Sequence, residues 1–171
     1  MPISVREAAP KDAEPIASIH VRAWQAAYRG QLDAGYLDAL TPGDRLPNTR
    51  SMLEDAPEDL RVWVAEDEGA IVGFAVTGAS QDADAERSTA ELYAIYLEPE
   101  RVGTGVGRAL SDHAVADLRE RGFREITLWV LETNERARRF YEVAGWKHDG
   151  TTATEIVDVE VRPTVRYRAT L

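Results

Sequence analysis

The hydrophobic positions along the chain change from one period to another near its middle. From residue 92 to residue 97 every position is apolar or aromatic, which is typical of a strand buried on both faces. Beyond a glycine-rich turn, apolar residues recur at helical spacing, and Gly122 suits the end of a helix. The helical positions are Val106, Leu110, Ala114 and Leu118. The pattern therefore predicts a buried strand, a turn and an amphipathic helix in succession.

Other segments alternate between apolar and polar residues or are continuously apolar, as strands are. They cover residues 3–8, 61–65, 70–76 and 125–131, and a tail in which 156–161 and 165–169 form a final antiparallel pair. Residues 66–69 carry a turn sequence, Glu-Asp-Glu-Gly, and predict a hairpin between the second and third of these strands.

Helical spacing predicts three more helices. The first runs from Ile16 to Gly30 with Asp12 as its N-cap, the second is a short helix over 36–40, and the third covers 134–144. In the third, the residues expected to face inward are Ala137, Phe140, Tyr141 and Ala144. Two segments have weaker patterns: 41–57 is rich in proline and predicts an irregular chain with a helical turn at 51–54, and the polar segment 80–90 predicts a mobile loop.

The predicted elements follow the order β-α-α-β-β-β-α-β-α-β-β. This order predicts a mixed, mostly antiparallel sheet with helices on both faces, an α/β or α+β fold. A chain of 171 residues is long enough to bury a sizeable core, and we expect residues 1–171 to form a single domain.

Three glycines at alternate positions, Gly103, Gly105 and Gly107, separate the buried strand from its helix. The first N–H groups of a helix have no internal partner, and the helix dipole adds positive charge at that end. Glycine also lets a bulky anion approach the main chain. The chain has neither the Gly-Lys-Ser/Thr ending of a P-loop nor the dinucleotide fingerprint. The turn predicts a site for some other phosphorylated ligand, although plain strand-to-helix connections are also rich in glycine.

Composition and charge narrow the function classes. The net charge of −10 and a pI near 4.8 argue against a nucleic-acid partner, which needs a basic surface. Cysteine is absent, which excludes disulfides, thiolate catalysis and cysteine metal sites. His20, His113 and His148 lack metal-ligand spacing, so we expect no metal. No segment approaches the roughly 18 apolar residues of a membrane span, and we expect a cytoplasmic protein without a membrane partner.

Two segments carry more specific information. Residues 97–110 read Leu-Glu-Pro-Glu-Arg-Val-Gly-Thr-Gly-Val-Gly-Arg-Ala-Leu, and residues 131–146 read Leu-Glu-Thr-Asn-Glu-Arg-Ala-Arg-Arg-Phe-Tyr-Glu-Val-Ala-Gly-Trp. Together they resemble the acetyl-CoA-binding core of the GCN5-related N-acetyltransferases. The first is similar to the family's Arg/Gln-x-x-Gly-x-Gly/Ala loop, and the second to its Asn-x-x-Ala-x-x-Phe-Tyr-x-x-x-Gly-Phe/Trp segment. Residues 20–30 also resemble a common N-terminal helix of bacterial members. Val102 is a departure, because it stands where the family has arginine or glutamine.

The resemblance implies that acetyl-CoA is the co-substrate. Main-chain groups of Ile95, Tyr96 and Leu97 would then hold the acetyl carbonyl and the pantetheine arm, as if adding a strand to a splayed sheet edge. The turn would hold the pyrophosphate through Val102, Gly103, Thr104, Gly105, Val106, Gly107 and Arg108. Asn134 would bind the pantetheine, and asparagine is also among the best helix N-caps.

The resemblance also implies roles in catalysis. Tyr141 would donate a proton to the leaving CoA thiolate; the alternative is a core aromatic beside Phe140. Glu91 occupies the place of the base in histone-acetylating members, and burial beside an apolar strand would raise the pKa of its carboxyl. An exposed glutamate at a strand end has the same appearance in sequence. Tyr93, Trp24 and Tyr28 are candidates for the walls of the acceptor pocket or for core packing.

These expectations describe an N-acetyltransferase that moves acetyl from acetyl-CoA to a primary amine of a small molecule or peptide. With no cysteine to carry an acyl group, transfer would be direct, in a ternary complex. Two alternatives stay open: a transferase that uses another acyl-CoA, and a non-catalytic acyl-CoA sensor or interaction module. A homodimer is possible at the level of the family.

Overall fold

A seven-stranded sheet organises the chain in a computed structural model that describes residues 2–157 and 160–171. The strands are β1 (Ser4–Glu7), β2 (Arg61–Asp67), β3 (Ala70–Ala79), β4 (Thr89–Leu97), β5 (Glu125–Leu131), β6 (Lys147–Val157) and β7 (Glu160–Thr170). The helices are α1 (Ala13–Ala27), α2 (Ala34–Ala39), α3 (Pro42–Glu54), α4 (Val106–Glu120) and α5 (Glu135–Val143). The spatial order is β1-β2-β3-β4-β5-β7-β6, and only β4 and β5 pair in parallel. The predicted mixed, mostly antiparallel sheet is confirmed.

Helices cover both faces of this sheet because neighbouring strand residues point in opposite directions. On one face Trp63 and Ala65 of β2 belong to the same core as the apolar stripe of α4. That stripe is buried at the predicted positions Val106, Leu110, Ala114 and Leu118. On the other face Val62 and Val64 pack with Ile16 and Ile19 of α1. Each of these two helices therefore buries its apolar stripe against one face of the sheet.

The prediction for residues 41–57 is wrong, because α3 occupies 13 residues of that segment. Thr41 and Asp44 form a capping box, in which the Thr41 N–H donates to Asp44 Oδ2 over 2.6 Å. Pro42 takes the first helical position, where its missing N–H costs nothing, and Pro47 lies inside the helix. α3 packs against α1, so tertiary contact outweighs the low helix propensity of its prolines.

The predicted strand over 156–161 is also wrong in its extent. Ile156 lies near the end of β6 and pairs with Val161 near the start of β7, so the described residues of this segment belong to two antiparallel strands. Its two central residues lie outside the described ranges. Residues 165–168 pair instead with the earlier part of β6, residues 147–152, so the predicted pairing partner is wrong, although the two strands of the tail are antiparallel.

The sheet opens between its two parallel strands. Among the described residues, β4 pairs with β5 only from Thr89 to Glu91 on one side and from Glu125 to Thr127 on the other. A register shift in the β3–β4 pairing places Leu92 opposite Thr77 and Ala94 opposite Val76, which leaves Tyr93 as the extra residue of a bulge. Beyond this point β4 and β5 diverge, and the gap between them is where the candidate site lies. None of the helices in the described part of the chain is long and apolar enough to cross a membrane.

Candidate functional site

A cavity of about 370 Å³ fills the gap between β4 and β5. Its walls come from these two strands, from the end of α1, from α5 and from the β6–β7 hairpin. Seven of the residues singled out in the sequence lie in these walls: Trp24, Tyr28, Tyr93, Ile95, Tyr96, Asn134 and Tyr141. Segments more than 100 residues apart thus meet at one concave site, the usual form of a small-molecule site.

The edge of β4 that faces the cavity includes Ile95 and Tyr96. Its other edge is bonded to β3, where Ile95 lies opposite Ala75 and Leu97 opposite Gly73. Leu97 does not line the cavity; its side chain packs so close to Gly73 that a Cβ there would come within 2.6 Å of Leu97 Cδ2. An extended ligand chain lying along the open edge of β4 finds backbone groups that no strand has satisfied.

The glycine turn follows β4 and begins α4. Gly103 and Gly105 have φ of 81° and 95°, and an added Cβ at either would meet no atom within 4 Å. Gly105 is the N-cap residue, and the first helical bond runs from Ala109 N–H to its carbonyl. The N–H groups of Val106, Gly107 and Arg108 therefore have no hydrogen-bond acceptor within the helix. The turn presents open space and free donors to an anion.

Other members of the predicted set are arranged differently. The Thr104 N–H and hydroxyl both donate to the Arg101 carbonyl, at 3.3 and 2.6 Å, so Thr104 serves the turn itself. Arg101 donates to Asp67 through Nη1 over 2.5 Å. It therefore does not take the place of the arginine or glutamine expected at position 102. Val102 is 39% exposed, and the Arg108 side chain lies in solvent 3.6 Å from Asp112. The turn thus offers an anion its backbone rather than paired guanidinium groups.

Helix α5 supplies Asn134 and Tyr141. Asn134 is the N-cap, and its Oδ1 accepts a hydrogen bond from the Ala137 N–H over 3.3 Å. Two turns further, Tyr141 is buried beside Trp146, and its burial raises the pKa of the phenol well above its usual range. Like any phenol, the hydroxyl is protonated at neutral pH and able to donate a hydrogen bond.

Only part of the predicted inner face of α5 is buried. Phe140 is 37% exposed and Ala144 is exposed, so the prediction that both face inward is wrong. Phe140 lies over the glycine turn instead, within 3.5 Å of where a Cβ at Gly107 would stand. The helix is short and rests on the rim of the sheet, so a narrow stripe suffices to hold it.

Glu91 is buried but does not line the cavity. It sits at the last residue pair that joins β4 to β5, and Ser80 Oγ donates to its Oε1 over 3.3 Å. Desolvation, helped by the nearby charge of Asp82, raises the pKa of Glu91 to about 7. The neighbouring Tyr93 does reach the cavity, and its hydroxyl donates to the Ala79 carbonyl. The raised pKa gives Glu91 the proton affinity of a general base, and the next residue along the strand, Leu92, lines the cavity.

The segment predicted to be a mobile loop is tied to the sheet. Arg166 of β7, only 4% exposed, donates to Asp82, Asp84 and Asp149 over 2.7–3.1 Å. Trp129 Nε1 donates to Asp82 over 3.0 Å. No local sequence signal links these groups, because Arg166 lies 84 residues from Asp82.

The sequence also gave no indication of Glu155, which lines the cavity from β6. It lies in an exposed strand whose residues alternate weakly, so its face is decided by the pairing with β7. Within the described residues, no group of His, Asp or Glu side chains is suited to hold a metal ion.

Comparisons with known proteins agree with this geometry. The model of the acetyltransferase (GNAT) family matches residues 22–146. An uncharacterized N-acetyltransferase of Bacillus subtilis is 35% identical over 133 residues, which are 77% of this chain and 73% of that protein. The PaiA N-acetyltransferase of Thermoplasma acidophilum, solved in complex with coenzyme A, superposes with a TM-score of 0.74 at 20% identity, covering all of both chains. A Salmonella typhimurium protein solved with its cofactor acetyl-CoA has a TM-score of 0.70 at 18% identity, covering 98% of this chain and 93% of that one. At 20% and 18% identity, these two structures support the fold of this chain and nothing more specific.

Proposed function

Because this chain belongs to the acetyltransferase (GNAT) family, we propose that it transfers an acetyl group from acetyl-CoA to a primary amine. The observation that carries the proposal is the cavity between β4 and β5, which adjoins the free edge of β4, the phenol of Tyr141 and the N-cap of α5. Coenzyme A and acetyl-CoA in two proteins of the same fold support the choice of co-substrate.

The chain offers separate groups for the parts of such a ligand. Backbone N–H groups from Gly103 to Arg108, with the dipole of α4, suit a pyrophosphate. The β4 edge at Ile95 and Tyr96 suits the amides of a pantetheine arm, with Asn134 across the cavity. Acetyl-CoA supplies the acetyl group as a thioester, whose carbon the amine attacks.

Tyr141 acts at the sulfur. As the amine nitrogen bonds to the acetyl carbon, the carbon–sulfur bond breaks, and the phenol donates its proton to the departing thiolate. The amine loses a proton of its own, which Glu91 accepts through water because its carboxylate does not line the cavity. Holding the amine and the thioester together accounts for much of the rate.

The test is release of free CoA thiol from acetyl-CoA across a panel of primary amines. In Tyr141→Phe we expect kcat to fall at least tenfold, since general acid catalysis typically contributes about 10²–10⁴. The KM for acetyl-CoA should stay near the wild-type value, because the ring and its packing against Trp146 remain.

Tyr36→Phe is the matched control, since it removes a partly buried phenol that does not line the cavity. Equal kcat values in Tyr141→Phe and Tyr36→Phe would contradict the role of Tyr141 as the proton donor. Binding of acetyl-CoA with no thiol release on any amine would favour a non-catalytic acyl-CoA module, and absence of binding would overturn the proposal.

A further inference from the structure

Glu155 brings a carboxylate to the cavity from the side opposite β4. It lies two residues before Val157, and residues two apart on a strand point to the same face. Val157 is buried in a cluster with Tyr28 and Leu131, both of which line the cavity. The side chain of Glu155 is therefore directed to the cavity face of the β6–β7 hairpin.

The carboxylate of Glu155 is left without a cation by its neighbours. Arg162 lies opposite it in the β6–β7 register but pairs with Glu160 instead. Among the described residues that line the cavity, Glu155 is the only one with a formal charge. Arg45 stacks on Trp24 at 5.1 Å from the ring centroid but is not part of the lining. The one formal charge that these lining residues bring to the cavity is accordingly negative, and it lies on an exposed side chain.

Aromatic side chains surround the same space. Tyr28 and Tyr93 line the cavity, and Tyr28 makes an edge contact with Trp24 at a centroid distance of 4.9 Å. Burial raises the pKa of Tyr28, and the charge of Glu155, which lines the same cavity, adds to this effect. Neutral phenol rings attract cations to their faces. An unpaired carboxylate beside aromatic rings recognises an ammonium group.

We infer that Glu155 determines acceptor specificity by binding a second positive charge, so that the preferred acceptor is a diamine rather than a simple alkylamine. The inference rests on the proposed function for the identity of the cavity as the acceptor site. One nitrogen, deprotonated, reaches the thioester near Tyr141, while the distant ammonium stays with Glu155 and the tyrosine rings. An amine with a carboxylate in that place is disfavoured by like-charge repulsion.

The experiment compares 1,4-diaminobutane with pentylamine, a monoamine of nearly the same length. Calorimetry gives the Kd of each amine, and thiol release gives kcat/KM. For the wild type we expect about fivefold tighter binding and higher kcat/KM for the diamine, the size typical of a partly exposed charge contact with an aromatic contribution. In Glu155→Gln this preference should fall to about onefold, because the Kd of the diamine rises toward that of pentylamine.

Glu120→Gln is the matched control, because it removes the same charge from an exposed position at the end of α4, outside the cavity lining. It should keep the diamine preference. Equal affinity for both amines in the wild type, or the same preference in Glu155→Gln, would overturn the inference. Selective diamine binding without thiol release would support Glu155 while refuting the acetyltransferase reaction.

Discussion

Glu91 shows how burial changes the proton affinity of a single carboxyl group. Its carboxyl is largely buried beside Ser80 and Asp82, and desolvation raises its pKa to about 7. A strand-end glutamate in solvent would titrate near 4.5 and be too weak a base for an ammonium ion. Burial therefore favours the role of base over that of a plain surface residue, and this role remains a prediction.

The pH dependence of stability tests this state of Glu91. Because its folded pKa is raised, the folded protein binds the proton more tightly than the unfolded chain does, and the free energy of unfolding falls as pH rises from about 4.5 to about 7. Glu91→Gln lacks this titration. The free energy of unfolding is measured by urea denaturation at pH 5 and pH 8. Relative to the wild type, the value for the variant should be higher at pH 8 than at pH 5. The same gain at both pH values would contradict a raised pKa.

The pH dependence of activity follows from the same residue. A base must be deprotonated, so kcat/KM should rise with pH through about 7 in the wild type. Ser80 donates to the carboxylate and thereby lowers its pKa, so Ser80→Ala should move the inflection to higher pH. An unchanged profile in Ser80→Ala would place the titrating group elsewhere.

At the scale of the element, the glycine turn and α4 act as one unit. Gly105 caps the helix in a left-handed conformation, and its geometry sets where the first free N–H groups point. Gly105→Val should raise the KM for acetyl-CoA roughly tenfold, the loss expected for one charge-assisted hydrogen bond, and leave the KM for the amine unchanged. Steady-state kinetics with each substrate varied in turn gives both values.

Gly122 provides the control for backbone strain. It has φ of 88° after the other end of α4, and a Cβ there would also meet no atom within 4 Å. Gly122→Val carries a similar left-handed penalty without touching the turn. A tenfold rise in KM for acetyl-CoA in this variant as well would assign the effect to strain, and no rise in either would move the pyrophosphate site away from the turn.

Arg166 of β7 makes most of the side-chain contacts that hold the segment between β3 and β4, and Trp129 adds one more. Replacing Arg166 with Met leaves Asp82, Asp84 and Asp149 without their shared partner. We expect a loss of about 3 kcal/mol in the free energy of unfolding, since breaking a buried ion pair strands the remaining charges. Proteolysis within residues 80–88 should also become faster, because the segment loses its attachment to the sheet.

Arg168→Met is the matched control on the same strand. Arg168 bonds Glu125 and Asp149 from a position that is 30% exposed, and partly exposed pairs contribute at most about 1 kcal/mol. Its loss should leave proteolysis of the 80–88 segment unchanged. Equal losses of stability in the two variants would show that the network does not depend on the burial of Arg166.

At the scale of the whole molecule, a parallel pair placed within an antiparallel sheet produces the site. β4 and β5 are joined by α4, and they separate after three residue pairs. The bulge at Tyr93 increases local twist and helps the two strands to part. The cavity thus results from the topology of the sheet and not from any single residue. A single domain over residues 1–171 and a homodimer stay predictions.

Much of this molecule follows from short stretches of its sequence. The strand, the glycine turn and helix α4 were predicted together, and Asn134 was predicted as an N-cap, because each depends on residues within one or two turns of chain. Local patterns failed where a distant contact decided. The prolines of α3 pointed to an irregular chain, yet packing against α1 stabilises the helix. The predicted strand over 156–161 takes in the end of β6 and the start of β7, which pair with each other.

By itself the sequence determined the fold class, the acetyltransferase family and the turn that presents its N–H groups to an anion. Only the tertiary structure decided how far β4 and β5 separate, that Glu91 is buried outside the cavity, and that Arg166 holds the 80–88 segment. It also brought Glu155 to face Tyr28 across more than 100 residues of chain. The physical reason is range: periodicity, capping and glycine conformation act between neighbours, whereas desolvation and ion pairing depend on which distant segments the sheet brings together.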